Sequence, residues 1–160
     1  MSIPFNANEV FEMAKEIEIN GAKFYRAAAK KFPKVGPILL ELAAMEDKHK
    51  ETFEAMQAEL SGPEVVPPVF DPEGEADMYL HVMADQHVFD TKIDPVTLLD
   101  KHKAPRDVLL MAIGMEKDSI AFYVGLRESV SQKAGKDKID AIIKEEYSHI
   151  VTLSKMLQEL

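Results

Sequence analysis

Apolar residues recur along this chain at alternating steps of three and four in four separate stretches. That spacing lines one face of a helix and makes a seam of the coiled-coil kind. The first seam reads Phe11, Ala14, Glu18, Gly21, Tyr25, Ala28, Phe32 and predicts a helix from near Asn6 to about Lys31. Asn6 with Glu9 has the pattern of a capping box, and Phe5 with Val10 that of a hydrophobic staple. Pro33, Gly36 and Pro37 punctuate the end of this helix. The second seam, Leu39, Leu42, Glu46, His49, Phe53, Met56, Leu60, predicts a helix from about Val35 to Leu60, stopped by Ser61-Gly62-Pro63. The third helix opens at Pro105, a residue favoured in a first helical turn, and runs to about Ser131. Its seam is Leu109, Ala112, Glu116, Ser119, Tyr123, Leu126, Val130. The fourth follows Gly135 and runs from about Asp137 to the end, through Ile139, Ile142, Glu146, His149, Leu153, Met156 and Leu160.

Residues 61–104 lack this pattern. Pro63, Pro67, Pro68, Pro72, Gly74 and Pro95 interrupt it, leaving room for a short helix over Glu75 to Phe89 and a turn or two over Asp94 to Lys101. A helix of about 25 residues is roughly 37 Å long. A segment of this length can carry the chain from one end of such a bundle back to the other. The expected fold is therefore all-α: a four-helix bundle of two hairpins, 6–60 and 105–160, joined by one long crossover, 61–104. The chain's 160 residues suit one domain with a full core.

Composition narrows the function. With 46% hydrophobic and 29% charged residues, the chain reads as an ordered, soluble protein. A formal net charge of -9 argues against nucleic acid and anionic membranes as partners. No apolar run approaches the roughly 20 residues that span a bilayer. The start, Met1-Ser2-Ile3-Pro4-Phe5-Asn6, has neither a basic nor an apolar signal region, so a cytoplasmic location is expected. The absence of cysteine excludes disulfides, iron–sulfur clusters, thiolate zinc and a rubredoxin-type iron centre.

Each seam is apolar except at its middle, where it carries a glutamate: Glu18, Glu46, Glu116 or Glu146. In the second and fourth helices a histidine follows three residues later, His49 and His149, on the same helical face. Glu18-Ile19-Asn20-Gly21-Ala22-Lys23-Phe24-Tyr25 aligns with Glu116-Lys117-Asp118-Ser119-Ile120-Ala121-Phe122-Tyr123, so the chain is two copies of one helical hairpin. Four carboxylates facing one another in an apolar core are unfavourable, and no seam lysine or arginine pairs with them. Two divalent cations would neutralise them. Oxygen-rich ligation with one imidazole per ion suits Fe(II) or Mn(II), with zinc as a substitute. Glu16, Glu51, Glu54 and Glu145 fall off the seams and are expected to be solvated. Met13, Met45, Met56, Met111, Met115 and Met156 read as core filler. His81, His87 and His102 read as surface residues of the crossover, with a second metal site as the alternative.

The paired Glu-x-x-His motifs and the two glutamate–tyrosine helices resemble a rubrerythrin-like member of the ferritin-like di-iron carboxylate superfamily, over about two-thirds of the chain. The resemblance implies a ferritin-like bundle with two iron ions, manganese or zinc being substitutes. It implies that Glu46 and Glu146 bridge the ions, that His49 and His149 each cap one, and that Glu18 and Glu116 are terminal ligands. Tyr25 and Tyr123 become candidate catalytic residues as donors to ligand carboxylates, beside a plain role in core packing. The implied activity is oxidoreductase chemistry that reduces peroxide or O2 and oxidises Fe(II), in a homodimer. The chain departs from rubrerythrins in two places: Ser119 stands where they carry a further glutamate, and there is no rubredoxin domain. An external electron donor protein is therefore expected. Ending at the fourth helix, the chain is not expected to build a ferritin storage cage. Two other readings remain at this level, an iron-sequestering protein without turnover and a metal-free helical interaction scaffold.

Overall fold

The computed structural model describes residues 6–60, 72–85, 94–133 and 135–160. Helix α1 spans Ala7–Lys31 and begins with the capping box. The Asn6 side chain accepts from the Glu9 N–H at 2.9 Å, and the Glu9 carboxylate accepts from the Asn6 N–H at 3.0 Å. Two donors left over at the helix start are thereby satisfied. Phe5, the other half of the expected staple, lies outside the described residues. Lys30 and Lys31 occupy the last turn of α1, where positive charge suits the helix dipole. Gly36 and Pro37, read as punctuation of the first helix, open α2, Gly36–Ala58, with Pro37 in its first turn.

In the crossover, α3 spans Glu75–Asp85, α4 spans Pro95–Leu98, and a 3-10 turn follows at Leu99–Lys101. The expected extension of α3 to Phe89 falls outside the described residues. Helix α5 spans Pro105–Ser129, and α6 spans Lys136–Glu159. Gly135, just before α6, has φ of 102°, a left-handed conformation that only glycine adopts without strain.

Helix α1 packs on α2, and α5 on α6; α3 lies along α5 and α4 along α1. Two apolar layers show the helix directions. One layer joins Phe24 and Ala28 of α1 to Leu39 and Leu42 of α2, Val108 and Leu109 of α5, and Leu153 and Met156 of α6. The other joins Val10 and Phe11 of α1 to Phe53 and Met56 of α2, Phe122 and Leu126 of α5, and Ile139 and Ile142 of α6. Thus α2 ends where α1 starts, and α5 starts at the opposite end, which requires the long crossover. The seams are buried almost throughout, Phe32 and Leu60 being half-buried and Leu160 exposed. Of the six methionines expected in the core, Met56 and Met156 are buried and the rest half-buried. No helix among the described residues is long and apolar enough to cross a membrane.

Candidate metal centre

Between the two apolar layers lies a polar one. Glu18 comes from α1, Glu46 and His49 from α2, Glu116 from α5, and Glu146 and His149 from α6. All six are at most 4% exposed, which rules out solvated surface residues. Each stands at the middle of an otherwise apolar seam, so the burial that assembles the bundle also drives these groups together.

The two imidazole rings stack with centroids 5.7 Å apart. Both turn Nδ1 towards the carboxylates. His49 Nδ1 lies 2.7 Å from Glu146 Oε1 and 3.4 Å from Glu18 Oε2. His149 Nδ1 lies 3.2 Å from Glu46 Oε1, 3.4 Å from Glu116 Oε1 and 3.5 Å from Glu146 Oε2. These contacts are close but lack hydrogen-bond geometry. Both Nδ1 atoms, both oxygens of Glu146, Glu18 Oε2 and Glu46 Oε1 are buried without a hydrogen-bond partner. Such a concentration of bare donor atoms is costly in a closed protein interior and is what a cation site requires. Together with Glu116, these residues fall into two groups that could each hold a metal ion: Glu18, Glu46, His49 and Glu146; and Glu46, Glu116, Glu146 and His149. Within each group one donor atom per residue lies within 4.8 Å of the others. The donor set fits a pair of divalent cations, with Glu46 and Glu146 common to both groups.

Around this layer the repeat makes a reciprocal pair of hydrogen bonds. The Tyr25 hydroxyl of α1 donates to Glu116 of α5, and the Tyr123 hydroxyl of α5 donates to Glu18 of α1. Burial, followed by the charge of the carboxylate each tyrosine touches, raises both phenols well above their ordinary range. They stay protonated and remain donors.

The electrostatics show how the cluster behaves without a cation. Burial, then the charge of Glu46, holds Glu18 well above the usual carboxylate range. Burial, then the contact with Glu146, pushes Glu116 up to about 8. Burial works against charge on the histidines, but Glu146 and Glu18 raise His49 to about 11. Glu116, Glu146 and Glu46 likewise raise His149 to about 12 against the effect of burial. Burial and the charge of Glu46 push Glu146 up, yet its contacts with Glu116 and both imidazoles hold it below its ordinary value. Protons thus supply the positive charge that divalent cations would otherwise provide.

A small cleft between α1 and α5 reaches this layer at Glu46 and Glu116, beside Gly21, Tyr25 and Ser119. Small residues at 21 and 119 open it. The Ser119 hydroxyl is turned away to the Met115 carbonyl at 3.1 Å.

One contributor escaped the sequence pattern. Glu145, expected to be merely solvated, reaches from α6 to His49 and sets Oε2 2.6 Å from Nε2. Nothing in the residue order marked it, because it lies off the seam. Glu16, Glu51 and Glu54 are exposed as expected, with Glu54 paired to Lys50 at 2.9 Å. Among the described residues the crossover histidines join no metal-binding group. His81 lies 3.5 Å from Asp77 on its own helix, His102 is half-buried at the end of the 3-10 turn, and His87 lies outside the described residues.

No protein-family model matches the chain, and no curated protein sequence does. Among solved structures, it is similar to the 2.30 Å crystal structure of a protein from Thermotoga maritima proposed to be a ferritin-like diiron-carboxylate protein. The likeness has a TM-score of 0.75 and 24% sequence identity, and covers 99% of each chain. A likeness that covers nearly all of both chains shows that this chain has the ferritin-like all-α fold.

Proposed function

We propose that this protein is a non-haem dinuclear oxidoreductase of the rubrerythrin kind. In this reading it holds two iron ions, or two manganese ions, between Glu18, Glu46, His49, Glu116, Glu146 and His149. One observation carries it: the buried carboxylates and imidazoles, most with a donor atom left without a partner, fall into two groups that share Glu46 and Glu146. Glu46 and Glu146 would serve both ions, with Glu18 and His49 serving one and Glu116 and His149 the other. The solved relative, itself proposed to be a diiron-carboxylate protein, supports the same reading.

Iron bound here would supply one electron per ion for the reduction of hydrogen peroxide or O2, with Fe(II) oxidised in return. The chain's own residues set the conditions. The cleft beside Gly21 and Ser119 leads to Glu46 and Glu116 and is narrow, which favours a substrate with few non-hydrogen atoms. Tyr25 and Tyr123 hold one end carboxylate each and keep a proton at the hydroxyl oxygen. The apolar layers above and below exclude bulk water. Without cysteine the chain has no rubredoxin-type iron centre of its own, and in this reading the electrons come from an external donor.

Anaerobic reconstitution with Fe(II), followed by desalting, should leave about two irons per chain. Glu46→Ala should lose the two-iron state, because it removes a donor from both groups. A folded wild-type chain that retains no iron would overturn the proposal. Peroxide consumption in the presence of a reductant then separates the oxidoreductase from a protein that only sequesters iron.

A further inference from the structure

We infer that the two metal positions are unequal: the one served by His49 fills first and binds more tightly than the one served by His149, because Glu145 positions His49 alone. This rests on the two-metal reading above. The observation is a difference between two side chains that the repeat makes equivalent. His49 Nε2 lies 2.6 Å from Glu145 Oε2. A carboxylate oxygen accepts, so Nε2 is the donor in this contact, and Nδ1 is the nitrogen presented to Glu18, Glu46 and Glu146. Ring orientation and donor atom are both set before an ion arrives.

His149 Nε2 is just as buried and has no hydrogen-bond partner. The residue of α2 that corresponds to Glu145 is Met45, immediately before Glu46. Its thioether is at most a weak acceptor. In other respects the positions match: each group has three carboxylates and one imidazole, and two of those carboxylates are shared. The difference therefore lies behind the histidines. A carboxylate that accepts from the far nitrogen of a ligating imidazole orients the ring and raises its basicity, and its loss typically weakens a metal site by about 10–100-fold.

The side chain of Glu145 is 51% exposed, so Glu145→Ala leaves no buried hole and should fold. Calorimetric titration of the full, metal-free chain with Co(II) alone under anaerobic conditions tests the inference. Wild type should bind in two steps, the first at least about tenfold tighter. Glu145→Ala should weaken the first step by about 10–100-fold and spare the second, so that the steps merge. Glu145→Gln, which keeps an acceptor oxygen, should restore most of the difference, and Met45→Glu should tighten the second step. The melting temperature of metal-free Glu145→Ala should match wild type, which separates positioning of the ligand from general stability. Two equal steps in wild type, or equal weakening of both steps by Glu145→Ala, would overturn the inference while leaving the two-metal reading intact. A wild-type chain that binds no Co(II) would remove the two-metal reading and this inference with it.

Discussion

At Gly21 a single added carbon reaches the centre of the molecule. A Cβ built there would lie 2.9 Å from Glu46 Oε2 and 3.4 Å from its carboxyl carbon. The carboxylate is the far end of a flexible side chain and can swing aside, but it is shared by both groups of donors. Gly21→Ala should therefore separate stability from binding. Alanine favours the helix by about 1 kcal/mol, so the metal-free melting temperature should hold or rise. Iron content after reconstitution should fall below that of wild type, because the Glu46 carboxylate is displaced. Unchanged iron content would mean that Glu46 has room to adjust. The positions of Glu18, Glu46, Glu116 and Glu146 and their histidines were legible as polar interruptions of apolar seams, since burial of a helical face leaves its central residues nowhere else to go. Glu145 was not legible. It lies off the seam, and its contact with His49 depends on how far α6 stands from α2.

Among the elements, the four long helices follow directly from spacing and caps, whereas the seat of α3 does not. Tyr79 lays its ring across α5, donates from its hydroxyl to the Ala121 carbonyl at 2.6 Å, and brings Leu80 into the apolar layer beside Phe122. Gly125 makes the room: a Cβ there would meet Tyr79 Cδ1 at 2.6 Å and Leu80 Cδ2 at 3.0 Å. Overpacking of this kind costs about 1–3 kcal/mol. Gly125→Ala should loosen α3 from the bundle, with faster amide hydrogen exchange over Glu75–Asp85 and little change in α1 or α2. Iron stoichiometry should stay at the wild-type value, since α3 contributes none of the six proposed ligands. Exchange unchanged in α3 would show that its docking tolerates the added carbon. In the sequence Gly125 looked like any other helical glycine, because the partner that needs its bare backbone lies in the crossover.

For the whole molecule, the cluster ties stability to pH in opposite senses with and without metal. In the metal-free chain, Glu116 is raised to about 8 and Glu18 is raised well above 4.5, so the folded state keeps protons that the unfolded chain releases. His49 and His149 are raised from 6.5 to about 11 and about 12 and add the same slope above neutrality. These contributions are fully present below the unfolded values and are lost as pH rises through the folded ones, so metal-free stability should fall from about pH 5 to about pH 8. Glu146, lowered in the folded chain, acts only below its ordinary value of 4.5, outside that window. With saturating Mn(II), which needs deprotonated ligands, the stabilisation should instead grow with pH. At a free ion concentration 100 times the dissociation constant it amounts to about 2.7 kcal/mol, removable by a chelator. Melting curves at the two pH values, with Mn(II) and with EDTA, would show the reversal. The same slope in both series would mean that the cations do not replace protons in this layer.

The sequence by itself determined the helices, their buried faces and the polar layer. Helical spacing and the cost of burying charge are local rules that read directly from residue order. Only the tertiary structure decided which tyrosine serves which glutamate, and why one histidine has a carboxylate behind it and the other does not. Those contacts join residues of different helices, brought together by packing distances that no spacing along one helix encodes.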